Sequence, residues 1–176
     1  MFLSISDLSG TSLEWKRDRA LNRAHVLSSQ GGLVGRLSFA GMCGSLATGE
    51  TAHGAWTFKR EGFLHPRVTI RRAGSDVTIG VLAVTGSGRG TLTLPGGEEY
   101  RLTTSGWSRS RWSFERGAEA VVRFERISGG AAVTIANRAA SPETLSILCS
   151  LGHYMTILAD AEDAAVIAAT TAAICC

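Results

Sequence analysis

Short segments in which apolar and polar residues alternate fill most of the chain, and they constrain its fold more than any other feature. In RVTIRR, at 67–72, Val68 and Ile70 fall on one face of a strand while Arg67, Thr69 and Arg71 fall on the other. Gly-rich turns such as PGGE at 95–98 separate the segments. The pattern predicts twelve strands, near 12–17, 23–28, 33–39, 44–48, 54–60, 65–72, 76–84, 89–94, 98–104, 110–116, 119–126 and 131–137.

A chain of 176 residues is expected to form one domain, residues 1–176, and twelve short strands restrict its architecture. An open sheet of this width would leave one apolar face uncovered and two edges unpaired. The strands of 12–137 therefore predict a sandwich or a closed barrel.

The texture changes at Ser141, where a helix is predicted to begin. Ser141 suits the N-cap, Pro142 the first helical position and Glu143 the first turn. Apolar residues then cover most of the helix circumference, so a helix over 142–159 is predicted to be buried on most sides. Strands that wrap around it provide that burial. The Ala-rich residues 164–176 either extend this helix past the acidic residues at 160–163 or form a separate tail.

An ungapped repeat relates residues 56–80 to residues 112–136, beginning with WTFKR and WSFER. In a structural interpretation, the Trp and Phe of each unit fill the core of a duplicated barrel, while Arg60 and Arg116 reach water at strand ends. In a functional interpretation, paired Trp and Arg residues form two related binding sites. The aromatic content of only 7% favours the structural interpretation, because few aromatic residues are left for the surface.

Twelve short strands followed by the apolar helix segment SPETLSILCSLGHYM, at 141–155, resemble the tubby C-terminal superfamily, which includes tubby-like, LURP-one-related and phospholipid scramblase-like proteins. The resemblance covers residues 12 to about 160 and lies in the order of the elements. It implies a mainly β fold, with a closed antiparallel barrel of about twelve strands around the helix. It also implies binding of phosphoinositide head groups or association with membranes. No family ligand residue can be matched here, and the scramblase calcium-binding segment has no counterpart.

Arginine is the residue type with the most functional potential, since nearly all basic residues are Arg and many lie on neighbouring strands. The candidate anion-binding residues are Arg67, Arg71, Arg72, Arg109, Arg111, Arg123 and Arg126. Glutamates are interleaved with them, at positions 61, 115, 119 and 125. This interleaving favours a solvated surface of cross-strand ion pairs over an anion site.

Two polar residues lie within the predicted buried helix. His153 and Tyr154 each need a hydrogen-bond partner there. The four His and four Cys residues lack metal-ligand spacing, so neither a metal site nor a cofactor is expected. Free, reduced cysteines, including Cys175 and Cys176, suit a cytoplasmic protein. The N-terminus does not resemble a secretory signal, and residues 145–159 fall short of the roughly 20 apolar residues of a membrane span.

The mildly basic composition, with a net charge of +3, permits contact with phosphates without requiring it. GSGRG, at 86–90, lacks the ending of a phosphate loop and is interpreted as a hairpin turn. We therefore expect a non-enzymatic binding or scaffold module for an anionic lipid head group or a protein partner, without nucleic acid, in the cytoplasm or peripheral to a membrane. The alternatives are a small-molecule-binding protein or enzyme with a pocket near His153 at a barrel end, and an assembly subunit that docks through 164–176.

Overall fold

The computed structural model contains twelve strands and one long helix. The strands are Leu13–Arg17 (β1), Ala24–Ser29 (β2), Gly32–Phe39 (β3), Ala47–Thr51 (β4), Gly54–Glu61 (β5), Arg67–Arg72 (β6), Thr78–Val84 (β7), Gly90–Thr93 (β8), Glu99–Ser105 (β9), Arg111–Arg116 (β10), Glu119–Ile127 (β11) and Gly130–Ile135 (β12), and the helix is Pro142–Ile174 (α1). Short 3₁₀ helices cover Ile5–Asp7 and Pro95–Gly97. The structure describes residues 1–8, 12–21, 23–41, 44–62, 64–85, 88–105 and 110–174, with side chains to position 164.

The strands form a closed antiparallel barrel, as predicted. Each strand pairs with its neighbours in sequence, and β1 closes the barrel against β12, where Leu13 faces Val133. Every predicted segment overlaps an observed strand. The largest displacement is in β4, which was predicted at 44–48 and lies at Ala47–Thr51. Position 49 must be small, because a side chain at Gly49 would lie 2.9 Å from the Phe58 ring and 3.1 Å from Ser150 of α1. A strand of small residues shows no apolar alternation.

The helix α1 lies in the lumen of the barrel. Trp15 of β1 donates from Nε1 to the carbonyl oxygen of Cys149 at 3.2 Å, and Tyr154 lies 5.7 Å from Phe58 of β5 between ring centroids. On β11, the Phe124 ring packs directly against Gly152. Because these strands are spread around the barrel, contacts with all of them place α1 inside it. The predicted burial of the helix is confirmed.

The start of α1 matches its predicted cap. Ser141 Oγ accepts a hydrogen bond from the Thr144 backbone N–H at 3.1 Å. The helix continues beyond residue 159, the end of the predicted buried segment, and the acidic residues at 160–163 do not interrupt it before Ile174. Residues 160–164 are exposed, so α1 leaves the barrel at Asp160. The extension alternative for 164–176 is therefore correct to Ile174, and Cys175 and Cys176 lie outside the described residues.

The two ends of the barrel differ because α1 passes through it. The helix begins at the end where even-numbered strands finish, which the 3₁₀ helix Ile5–Asp7 covers; Arg138 Nη1 donates there to the Ser6 carbonyl oxygen at 2.8 Å. We call this the capped end. The helix leaves at the other end, where odd-numbered strands finish, which we call the exit end.

The repeated segments place their aromatic residues in the core, as predicted. Trp56, Phe58, Trp112 and Phe114 are all buried. However, β5 and β10 run in opposite directions along the barrel, because they are an odd number of strands apart in an antiparallel order. Their registers differ as well, since Trp56 faces Arg72 whereas Trp112 faces Phe124. In the repeat alignment, Phe124 corresponds to position 68 and not to position 72. The two segments do not form equivalent hairpins.

The contact between Gly152 and Phe124 generates a stability prediction. At an exposed helix position, replacing Gly with Ala stabilises by about 1 kcal/mol. In Gly152→Ala, the added methyl group collides with the Phe124 ring, so we expect the free energy of unfolding to fall by about 1–3 kcal/mol, measured by urea denaturation. Phe124→Leu makes room, so the double variant should show a favourable coupling energy. A stabilised Gly152→Ala variant would contradict this packing.

Candidate functional site

The predicted arginines do not form one basic wall. Those in the described part of the chain divide between the two ends, with Arg71 and Arg72 at the capped end and Arg67, Arg111 and Arg126 at the exit end. The sixth, Arg123, lies midway along β11, and Arg109 lies outside the described residues. Arg111 and Arg123 both border a depression of about 370 Å³ on the wall of β9 to β12.

Most of these arginines already have a carboxylate partner. Arg111 and Glu125 pair across β10 and β11 at 3.0 Å, as the interleaved charges predict. Within the described residues, Arg123 alone of the six has no carboxylate within 4.0 Å. The remaining ion pairs are Arg67–Glu61, Arg71–Asp76, Arg72–Glu143 and Arg126–Asp160. Each anchored guanidinium has less capacity for an external anion.

Three ion pairs connect the barrel rims to α1. At the capped end, Arg72 binds Glu143 at 2.6 Å. At the exit end, Arg126 binds Asp160 at 2.5 Å, and Arg60 binds Glu162. The acidic residues of α1 therefore bind the barrel rim where the helix leaves it.

His153 and Tyr154 are buried and both have partners. The Tyr154 hydroxyl donates to the Ser45 carbonyl oxygen at 2.6 Å. His153 Nε2 shares a hydrogen bond with His25 Nδ1 at 3.0 Å, and its ring stacks on Trp15 with centroids 4.7 Å apart. His153 Nδ1 has no protein partner within the described residues. The pair sits inside the barrel wall, with His25 beside Arg17 at the exit end.

Burial keeps these polar groups neutral. It lowers the pKa of His153 well below its usual value, and the neighbouring His25 lowers it further. Burial and then Arg17 lower the pKa of His25. Burial raises the pKa of Tyr154 to about 12, although its hydrogen bond to Ser45 opposes the shift, and raises that of Cys149 to about 12. The described residues contain no group of three or more His, Cys, Asp or Glu side chains arranged to hold a metal ion.

A cavity of about 200 Å³ opens at the exit end, between α1 and the ends of β7, β9, β10 and β11. We call it the exit cleft. Its walls are mainly apolar and include Val84, Leu102, Trp112, Met155 and Leu158. His153 does not line it, so the exit cleft is not the pocket that was predicted near His153.

Charge is segregated along the barrel axis, a feature that sequence reasoning missed. We counted the described charged residues in the exit-end loops and in the three residues of each strand that adjoin those loops. Ten of them are basic and three are acidic. The basic residues are Lys16, Arg17, Arg19, Arg23, Lys59, Arg60, Arg67, Arg89, Arg111 and Arg126, and the acidic ones are Asp18, Glu61 and Glu125. After the three acids of α1 at 160–163 are included, the exit end retains an excess of four positive charges.

The capped end has the opposite balance by the same criterion. Its basic residues are Arg71, Arg72, Arg101, Arg116 and Arg138, and its acidic ones are Asp7, Glu14, Glu50, Asp76, Glu98, Glu99, Glu115, Glu119 and Glu143. This is an excess of four negative charges. The modest net charge of the chain thus conceals two ends of opposite sign.

Exposed leucines accompany the basic residues of the exit end. Leu21, Leu46 and Leu64 lie in three exit-end loops and are 45%, 39% and 82% exposed. Leu21 and Leu64 lie between predicted strands, whereas Leu46 falls inside the strand predicted at 44–48, so no sequence signal marked it as exposed. Among the described residues, no helix has the length and apolar character needed to cross a membrane.

Comparisons with protein-family models, curated proteins and solved structures found no match. The resemblance to the tubby C-terminal superfamily stays a prediction based on the order of the elements.

The buried histidine pair generates a pH prediction. An unfolded histidine titrates near pH 6.5, whereas the pKa of His153 in the fold is lower, so below about pH 6.5 the unfolded chain binds more protons. The stability provided by neutral His153 is full above that pH and is lost as the pH falls towards the folded pKa. Between about pH 7 and pH 5, we expect the free energy of unfolding to fall less steeply in His153→Gln than in the wild-type protein. The two slopes should differ by up to about 1.4 kcal/mol per pH unit.

Urea denaturation at a series of pH values measures this slope. The matched control is His65→Gln, because His65 is exposed and its replacement should leave the slope unchanged. If His153→Gln kept the slope of the wild-type protein, the buried histidine would not be the group that titrates.

Proposed function

We propose that this protein is a non-enzymatic binding module that docks its exit end on an anionic membrane surface. The observation that carries the proposal is the combination of excess positive charge and exposed leucines at one end of the barrel. Basic residues attract acidic head groups over several ångströms, and leucines on loops enter the boundary between head groups and acyl chains. The capped end lacks the positive charge, since its excess charge is negative, although Leu3 and Val77 are 37% and 68% exposed there.

The magnitudes fit reversible binding. A basic residue near an anionic membrane surface contributes about 1 kcal/mol, and complete burial of a leucine side chain contributes about 1.5–3 kcal/mol. The leucines are only partly exposed and several arginines are paired with acids, so these values are upper limits. A few such contacts produce binding that salt weakens, rather than permanent insertion.

The proposed surface coincides only in part with the candidate anion-binding arginines named from the sequence. Of the predicted candidates, Arg67, Arg111 and Arg126 belong to the exit end, while Arg71 and Arg72 lie at the other. Two exposed exit-end cations lie outside that candidate set, Arg17 and Arg19. The resemblance to the tubby C-terminal superfamily supports the chemical class of the ligand, an anionic lipid head group.

Sedimentation with vesicles of phosphatidylcholine, with and without phosphatidylglycerol, tests the charge contribution. We expect binding only when phosphatidylglycerol is present. Replacing Arg17 and Arg19 together with Gln removes two exit-end charges. The binding free energy should weaken by about 2 kcal/mol, so the partition coefficient should fall about thirty-fold. The double variant Arg101→Gln with Arg116→Gln makes the same charge change at the capped end and should bind like the wild-type protein.

A second pair of variants tests the leucines. Leu64→Ser should weaken sedimentation with anionic vesicles by up to about ten-fold, because its apolar side chain no longer enters the interface. Val77→Ser is the matched control, since Val77 is 68% exposed but lies at the capped end. Equal, negligible sedimentation with both vesicle types would refute the membrane proposal and favour an acidic protein as the partner. Equal losses in exit-end and capped-end variants would refute the assignment of the surface.

A further inference from the structure

The exit cleft is large enough to hold a small apolar group. Its volume of about 200 Å³ exceeds the roughly 150 Å³ of an apolar cavity engineered in another protein, which stays dry and binds benzene. The side chains of Leu102, Trp112 and Leu158 supply apolar surface on both the barrel side and the helix side. An aliphatic chain of a few carbons fits this volume and chemistry.

Two buried hydrogen-bond donors belong to residues that line the cleft. Trp112 is 6% exposed, and its Nε1 has no protein acceptor within the described residues. The same holds for the buried Nε of Arg126, whose Nη2 is occupied by Asp160 at 2.5 Å. Indole and guanidinium nitrogens donate but never accept, and a buried donor left unpaired is costly. A ligand that satisfies them supplies an acceptor oxygen.

The charges around the cleft do not select for an ionised ligand. Arg60 and Arg126 are paired with Glu162 and Asp160, and Asp163 also lines the opening. An additional carboxylate would meet these acids at close range, whereas a carbonyl oxygen satisfies the donors without adding charge. The complementary chemistry is therefore neutral.

We infer that the exit cleft binds an uncharged aliphatic molecule with a carbonyl oxygen, which accepts a hydrogen bond from Trp112 while its chain packs against Leu102 and Leu158. An ester-linked acyl chain of a lipid and a free ketone or ester share this chemistry. The inference does not depend on the proposed membrane binding, because a soluble ligand in vesicle-free buffer is sufficient to occupy the cleft.

Proton–nitrogen correlation spectra of the full chain test it, with straight-chain methyl ketones of increasing length as probes. We expect the Trp112 indole N–H resonance to shift and saturate, and affinity to rise about four-fold per added methylene until the cleft is full. Trp112→Phe should weaken binding about ten-fold by removing the donor. Trp56→Phe is the matched control, because the Trp56 Nε1 is also buried and unpartnered but Trp56 does not line the cleft.

Monomeric dihexanoyl phosphatidylcholine separates the two sources: displacement of the ketone identifies a lipid acyl chain, and its failure to compete identifies a free carbonyl compound. The inference is overturned if the Trp112 resonance is unmoved, or if every indole shifts without saturation as the chain lengthens. The ketone series on the wild-type protein decides this even if a variant fails to fold. Loss of vesicle binding with retained ketone binding would refute only the membrane proposal.

Discussion

The structure depends on the apolar contact between α1 and the inner face of the barrel. A helix that is apolar around its whole circumference cannot remain in water, and a closed barrel of twelve strands has a lumen wider than its own side chains fill. Each element therefore supplies the burial that the other needs. The fit is close where a glycine lets the helix and a strand approach each other, as at Gly49 against Ser150 and at Gly152 against the Phe124 ring. Larger side chains at these positions would collide with their neighbours across this contact.

A helix that passes through the barrel makes the two ends chemically different. One end receives the start of α1 and the residues before β1, while the other must leave space for the departing helix. Ion pairs from Arg72 and Arg126 anchor α1 at opposite rims. Exposed pairs of this kind contribute at most about 1 kcal/mol each, so they fix the position of the helix more than they stabilise it. The apolar exit cleft lies where the helix and the strand ends separate.

Local patterns in the sequence predicted most of the fold, because strand alternation and helix apolarity are local properties. The predicted position of β4 was three residues too early, because close approach to α1 requires small residues that carry no alternation. The pattern also left the end of α1 open between an extension and a separate tail, since Asp160 and Glu162 interrupt an apolar run without interrupting a helix.

The candidate site depends on features that no local pattern contains. His25 and His153 are far apart in sequence, and the charge of each barrel end depends on strand direction. Arg71 and Arg67 are close in sequence, yet they lie towards opposite ends of one strand. Grouping arginines by strand therefore placed residues of both barrel ends in one candidate set, whereas grouping them by strand end reveals two surfaces of opposite sign.

The two proposals for the exit end rest on different binding physics, and ionic strength distinguishes them. Contact between a basic surface and anionic lipids weakens as salt shortens the distance over which charges interact, to about 10 Å at 0.1 M. Burial of an aliphatic chain in a cavity responds little to simple salts and is strengthened by strongly hydrated ones. Arg126 connects the two, because it contributes charge to the exit end while its Nε lies among the buried atoms beside the cleft. The two proposed activities stay distinct although both involve Arg126. Its charge acts at long range, whereas a hydrogen bond from its Nε acts only at contact.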